Sequence, residues 1–199
     1  KTEVVLVAIL GLVLLGDTLS PMAALAIAIC FAGVVVLSVA RTEVTALSLF
    51  TKLAEKPTLI GLASGAFLGA CVVFYRGATL ALGGGDFRMR AAFALAVSMA
   101  LQTAIMGAYL YLREPGQLTA VIRSWRSALA VGAAGILASI CWFTAFAIQN
   151  GAYVRALGQI ELIFTFIASA VFFKERTNAL EYCGIGLIVV AILILILAR

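Results

Sequence analysis

The sequence predicts an all-α fold, a polytopic bundle of membrane-spanning helices, and three observations predict it. Hydrophobic residues make up 64% of the chain and charged residues 12%, with a mean hydropathy of +1.17. A soluble domain is about half apolar and a quarter charged. The apolar residues gather into seven runs, each close to the ~20 residues that a helix needs to cross a bilayer. Only short stretches separate the runs. A chain built this way cannot hide its apolar surface around one aqueous core, so lipid is its solvent.

The runs are 3–19, 21–40, 59–82, 91–112, 127–149, 153–173 and 178–198. The first two are joined by Gly16-Asp17-Thr18-Leu19-Ser20-Pro21, a tight turn with Ser20 as N-cap and Pro21 at the first helical position. After the second run, Thr45 to Lys56 carries Leu47, Phe50, Leu53 and Ala54 at i, i+3, i+6 and i+7. That spacing suits a short amphipathic helix at the interface, with an ordinary polar loop as the alternative. The third run holds Gly61, Gly65 and Gly69, a doubled GxxxG that makes a flat groove for a neighbouring backbone. Gly135 and Ser139 form a weaker small-residue face in the fifth. Ser98 and Gln102 share a face of the fourth, where interhelical hydrogen bonds are expected.

Several function classes drop out on composition. The formal charge of +5 comes from Lys and Arg that sit mainly between apolar runs, where they anchor and orient helices. No basic stretch with interleaved aromatics appears, so no nucleic-acid partner is expected. Cys30, Cys71, Cys141 and Cys183 all fall inside apolar runs without the clustering that a disulfide framework or zinc site needs. Histidine is absent, which removes Ser-His-Asp and Cys-His catalysis and His-liganded metals. No cofactor and no metal are expected. The chain opens with Lys1-Thr2-Glu3 and enters an apolar run at once, so it reads as a piece of a longer protein with its N-terminal part missing.

An internal repeat carries the most weight. Glu3 precedes Asp17 by fourteen residues and Glu161 precedes Glu175 by fourteen, the two copies being offset by 158 residues. Each acid leads an apolar stretch, then a second acid, a turn and another apolar helix. Identities are few: Ile9 with Ile167, Val13 with Val171, Ile27 with Ile185, Leu37 with Leu195. The copies lie five spans apart, and an odd offset makes them cross the membrane in opposite directions. Inverted repeats are the architectural signature of secondary transporters, with the substrate site at the repeat interface. With five helices to a repeat, the second is complete and the first retains its last two.

The stretch from Ala152 to Leu162 (AYVRALGQIEL), the later Phe173-Lys174-Glu175-Arg176, and the turn from Leu15 to Pro21 resemble EamA-type carriers of the drug/metabolite transporter superfamily. The resemblance covers essentially the whole chain. It implies a ten-helix, inverted-repeat (5+5) transporter fold of which seven transmembrane helices are seen. Residues 1–40 are then the last two helices of the first repeat, 41–58 a linker, and 59–199 the complete second repeat. It also implies alternating-access export or exchange of small metabolites, amino acids or drugs across a bacterial inner membrane. The expected partners are a small-molecule substrate and membrane lipid; the oligomeric state stays open.

A charged side chain within the membrane is costly and therefore a functional candidate. Glu161 lies eight residues into a helix starting near Tyr153, or about 12 Å at 1.5 Å per residue. Gly158, Glu161, Thr165 and Ser169 share one face of that helix, a stripe suited to a water-filled cavity or to an interhelical hydrogen bond. Glu161 is the expected coupling or substrate-contacting residue, with Glu3 at the equivalent position of the first repeat. Arg155 and Gln159, at i and i+4 on an adjoining face, are secondary contacts. Arg76 lies near the end of the third run and is expected, with Arg155, at one cavity mouth, or snorkelling to headgroups. Tyr75, Trp142, Gln149, Asn150 and Tyr153 belong to the same membrane side, as a site lining or as an aromatic belt with polar helix ends.

Two other classes compete. Gly83-Gly84-Gly85-Asp86 matches the GxGD pattern of intramembrane aspartyl proteases, whose chemistry needs two carboxylates sharing a proton. Asp17 is the only other aspartate, and both lie in turns, so no enzyme is expected. A structural or channel-like role is the remaining alternative. Orientation stays open. Lys1 with the loops around 41–57, 113–127 and 174–177 holds nine basic residues against four at Arg88, Arg90, Arg155 and Arg199, which puts the C-terminus outside. The resemblance implies a cytoplasmic C-terminus.

Overall fold

A computed structural model describes residues 3–41, 55–172, 174 and 177–197. The described residues are all-helical. In chain order the helices are α1 (Glu3–Leu15), α2 (Pro21–Arg41), α3 (Lys56–Ala81), α4 (Phe87–Arg113), α5 (Gln117–Arg123), α6 (Trp125–Ile148), α7 (Gly151–Gly158), α8 (Ile160–Val171) and α9 (Ala179–Leu197). The expected interfacial helix around Thr45 lies outside the described residues.

Six spans, not seven, are long and apolar enough to cross a membrane among these residues: α2, α3, α4, α6, α9 and the continuous stretch Gly151–Val171 that contains α7 and α8. The described part of α1, thirteen residues, is apolar but is not among them. It stops because Gly16 adopts φ +66°, a left-handed C-terminal position that glycine takes without Cβ strain. The Gly16 N–H then reaches the Leu12 carbonyl at 3.2 Å, and the Asp17 N–H reaches Gly11 at 3.1 Å. The Ser20 hydroxyl accepts from the Ala23 N–H at 3.2 Å and α2 starts at Pro21, so the turn has the expected cap. The 113–127 connection, expected to be a loop, contains α5.

The chain divides into two compact units. The first comprises 1–74 and 150–199, the second 75–149. In the first unit α2 and α9 form the main helix pair. They run antiparallel, since Asn178 at the start of α9 donates its side-chain amide to the Ala40 carbonyl near the end of α2. The crossing is made by Gly33 and Gly184. A Cβ on Gly33 would sit 2.9 Å from the Gly184 oxygen, and one on Gly184 2.9 Å from the Leu37 nitrogen. Only hydrogen fits there, which allows the close backbone approach that membrane helix pairs depend on. Val34, Leu37, Ile188 and Ile192 close the core around the crossing. The buried positions of α9, Gly184, Ile188, Ala191, Ile192 and Leu195, lie 158 residues from Ala26, Cys30, Gly33, Val34 and Leu37, which are all buried on α2.

The doubled GxxxG packs over only part of its length. Gly69 faces Leu6 and Val7 of α1, with a virtual Cβ 3.4–3.5 Å from its neighbours, while Gly61 meets nothing within 4 Å. Of the expected continuous glycine face, the contact with α1 is made at Gly69 and not at Gly61. Gly135 likewise meets nothing within 4 Å.

In the second unit α4 packs against α6 through Ala91, Ala94, Leu95 and Phe143, with Tyr75 and Met99 at the margin. Large apolar side chains on the outside of the helices stay uncovered, as at Phe67 and Val131, 75% and 74% exposed. Water would penalise such surface and lipid does not.

Candidate functional site

The expected continuous helix through Glu161 is interrupted. Asn150 caps α7, its side-chain oxygen accepting from the Ala152 N–H at 2.9 Å. Gly151 lets the helix start press against Val7 and Val72, where a Cβ would come within 3.0–3.2 Å. The helix ends at Gly158. At Gln159 the N–H turns back to Ala156 at 3.1 Å while the carbonyl receives the Leu162 N–H at 2.9 Å, opening α8. Glu161 consequently lies in the first turn of a new helix. The Gly158, Glu161, Thr165 and Ser169 stripe is split: Glu161 and Thr165 are exposed and Ser169 is buried. The Thr165 hydroxyl donates to the Glu161 carbonyl at 2.8 Å, which satisfies it within the helix.

The polar residues that come together are Arg155 before the break, Gln159 at it and Glu3 on α1. Arg155 donates to the Glu3 carboxylate in an ion pair whose side chains are only 16% and 8% exposed. Glu3, inferred only as the repeat mate of Glu161, is thus the buried acid. Gln159 is 1% exposed. Its amide nitrogen donates to the Arg155 carbonyl at 3.4 Å, and its Oε1 is buried with no partner among the described residues. The neighbouring carbonyl requires a donor, so the NH2 end faces it and the oxygen is left over. A buried acceptor without a partner costs about 1–3 kcal/mol. Tyr153, on the same helix, places its hydroxyl 3.3 Å from that of Ser20.

The remaining candidates belong to the second unit. Arg76 donates to the Phe146 and Gln149 carbonyls at 3.0 and 2.7 Å, capping the carboxyl end of α6 as a cation should. Tyr75 packs on Phe143 with ring centroids 4.3 Å apart, and its hydroxyl accepts from Gln102 at 3.2 Å, the interhelical bond expected of Gln102. Trp142 stacks on Phe146 at 5.6 Å. Asp86 and Asp17 each lie in a connection between helices, and Gly85 has φ +82°, the geometry of a turn.

The family model described as the EamA-like transporter family matches residues 57–197, most of the chain. The chain belongs to the EamA-like transporter family. It is an integral membrane protein whose matched region is a transporter domain, as the EamA resemblance implied. No curated protein and no solved structure matches it. Within the EamA match lie α3 to α9, including Arg155, Gln159 and Glu161; Glu3 precedes it. Sequence reasoning missed Gly33, Gly151 and Gly184. The 158-residue offset was a usable signal for two of them, since it pairs Gly33 with Ala191 and Ala26 with Gly184, small residues at matching places.

Proposed function

We propose that the protein is a secondary transporter that moves a small solute by alternating access, with Arg155, Glu3 and Gln159 as its charge-handling and solute-contacting group. The observation that carries this reading is the buried, unpartnered Gln159 oxygen beside the Arg155–Glu3 pair, at a break in a membrane-spanning stretch. Transporter binding sites are typically built at discontinuous helices, where backbone and side-chain polar groups are released from the regular ladder. A polar group held in the membrane at a cost in stability is a functional candidate by default. The Gln159 oxygen is an acceptor awaiting a donor from the solute. Arg155 is a cation whose counter-charge, now Glu3, a solute anion can replace.

Glu161, in the first turn after the break, is the coupling carboxylate in this proposal: it takes a proton on one side and releases it on the other. The 5+5 repeat, with boundaries 1–40, 41–58 and 59–199, is part of the same reading. It is supported by the antiparallel run of α2 and α9 and by their matching buried positions 158 residues apart. The setting is a bacterial inner membrane, as the family resemblance implies.

The experiment is flux of a panel of small metabolites into vesicles carrying the protein, with and without a pH gradient. Glu161→Gln keeps size and hydrogen bonding but cannot titrate, so it should abolish gradient-driven flux and leave folding intact. Flux at the parent rate with unchanged pH dependence would make Glu161 structural.

A further inference from the structure

The second unit holds a cavity that the transport reading does not use. It measures about 590 Å³ and lies between α4 and α6, lined by Arg88, Ala92, Ala96, Met99, Ile140 and Thr144 among others. Its origin is local: α4 presents alanines where α6 presents Ile136, Ile140 and Phe143, so the small side leaves a trough. The trough is lined by apolar side chains apart from Thr144, whose hydroxyl is satisfied by the Ile140 carbonyl at 2.7 Å, and Arg88 in the first turn of α4.

Two features define what fits. The first is length. Arg88 to Met99 along α4 is eleven residues, about 16 Å at 1.5 Å each, which matches one leaflet, about half of a ~30 Å hydrocarbon core. The second is charge. The Arg88 guanidinium lies 5.6 Å from the Phe87 ring centroid and makes no ion pair or hydrogen bond among the described residues. Arg90, two residues on, has its Nε buried without a partner, so this helix end carries two arginines against Asp86 alone. A small polar solute would leave the deep end of the trough empty, and an unfilled apolar void forfeits dispersion contacts. A leaflet-long apolar slot with an unneutralised cation at its interfacial end is complementary to an anionic amphiphile.

We propose that the α4–α6 trough is a binding site for one anionic glycerophospholipid, an acyl chain lying along Ala92, Ala96 and Ile140 and the phosphate on Arg88. The guanidinium fork suits phosphate oxygens, and an arginine at the headgroup level attracts anionic lipid. The trough shares no residue with the group around Gln159, so its failure would leave the transport reading standing.

Native mass spectrometry of the detergent-purified protein tests it, titrated with phosphatidylglycerol or phosphatidylcholine of equal chain length. The parent should retain one phosphatidylglycerol per chain in preference to phosphatidylcholine, by about five-fold, the effect of one basic residue on an anionic lipid. Arg88→Gln should erase the preference. Arg126→Gln, at the start of α6 and outside the trough, should keep it. Ala96→Phe, filling the trough at mid-length, should lower retention of both lipids. If that variant does not fold, a short-chain phosphatidylglycerol serves instead: it should compete poorly for want of length. Equal retention of the two lipids by the parent, an undiminished preference in Arg88→Gln, full competition by the short chain, or a second protein copy in place of lipid would each overturn the proposal.

Discussion

Alanine at Gly184 and at Gly186 should have opposite effects, although the two positions are two residues apart on α9. A Cβ on Gly184 would lie 2.9 Å from the Leu37 nitrogen and 3.0 Å from both the Gly33 oxygen and the Leu37 Cβ. Two of these are backbone atoms, so no rotamer change relieves them. The crossing must open by about 0.5 Å to restore ordinary contact, and a gap of that size forfeits a quarter or more of each contact's attraction. Overpacking of this kind costs about 1–3 kcal/mol. Replacing a helical glycine by alanine returns about 1 kcal/mol of propensity. With unyielding backbone on the other side, the upper end applies, for a net loss of about 2 kcal/mol in Gly184→Ala. At Gly186 nothing lies within 4 Å, so alanine should gain up to about 1 kcal/mol. For a chain of this size each kcal/mol moves Tm by about 2–4 °C. Thermal unfolding in one detergent should therefore separate the two alanine variants by about 6–12 °C, with the parent between them. A Gly184→Ala protein as stable as the parent would refute the close crossing.

Three further outcomes follow from the packing and the polar contacts. Arg155→Gln should destabilise the protein by about 3–5 kcal/mol, because Glu3 is left buried without its counter-charge. Adding Glu3→Gln should recover much of that loss, which a double-mutant cycle reads. Gly69→Leu should lower the yield of folded protein by driving a side chain into Leu6 and Val7, whereas Gly61→Leu, facing open space, should express normally. Arg76→Gln should cost about 1–3 kcal/mol by leaving the Phe146 and Gln149 carbonyls without their donor, measured as a lower Tm.

The helices were legible in the sequence because hydropathy alone carries them: each described helix of membrane length overlies an expected apolar run. The capped turn at Ser20 and Pro21 was legible for the same local reason. What escaped depended on contacts between distant segments. Nothing in the run 153–173 announces a break, since Gly158 and Gln159 are both tolerated in helices; the break emerges with Gln159 buried against its neighbours. Glu161 stood out because it is an acid in an apolar run, yet burial falls on Glu3, whose partner Arg155 lies 152 residues away. Gly61 and Gly69 look alike in sequence. They differ in what faces them: Leu6 and Val7 pack on Gly69, and no described residue packs on Gly61.

If Gln159 is held unsatisfied for a solute, Gln159→Leu should separate folding from transport. Leucine keeps the bulk and removes the stranded oxygen. The variant should fold at least as stably as the parent, since a buried unpartnered acceptor costing about 1–3 kcal/mol is gone. Its solute flux into vesicles should be lost. A Gln159→Leu protein that transports at the parent rate, or that unfolds several degrees earlier, would contradict this role for Gln159.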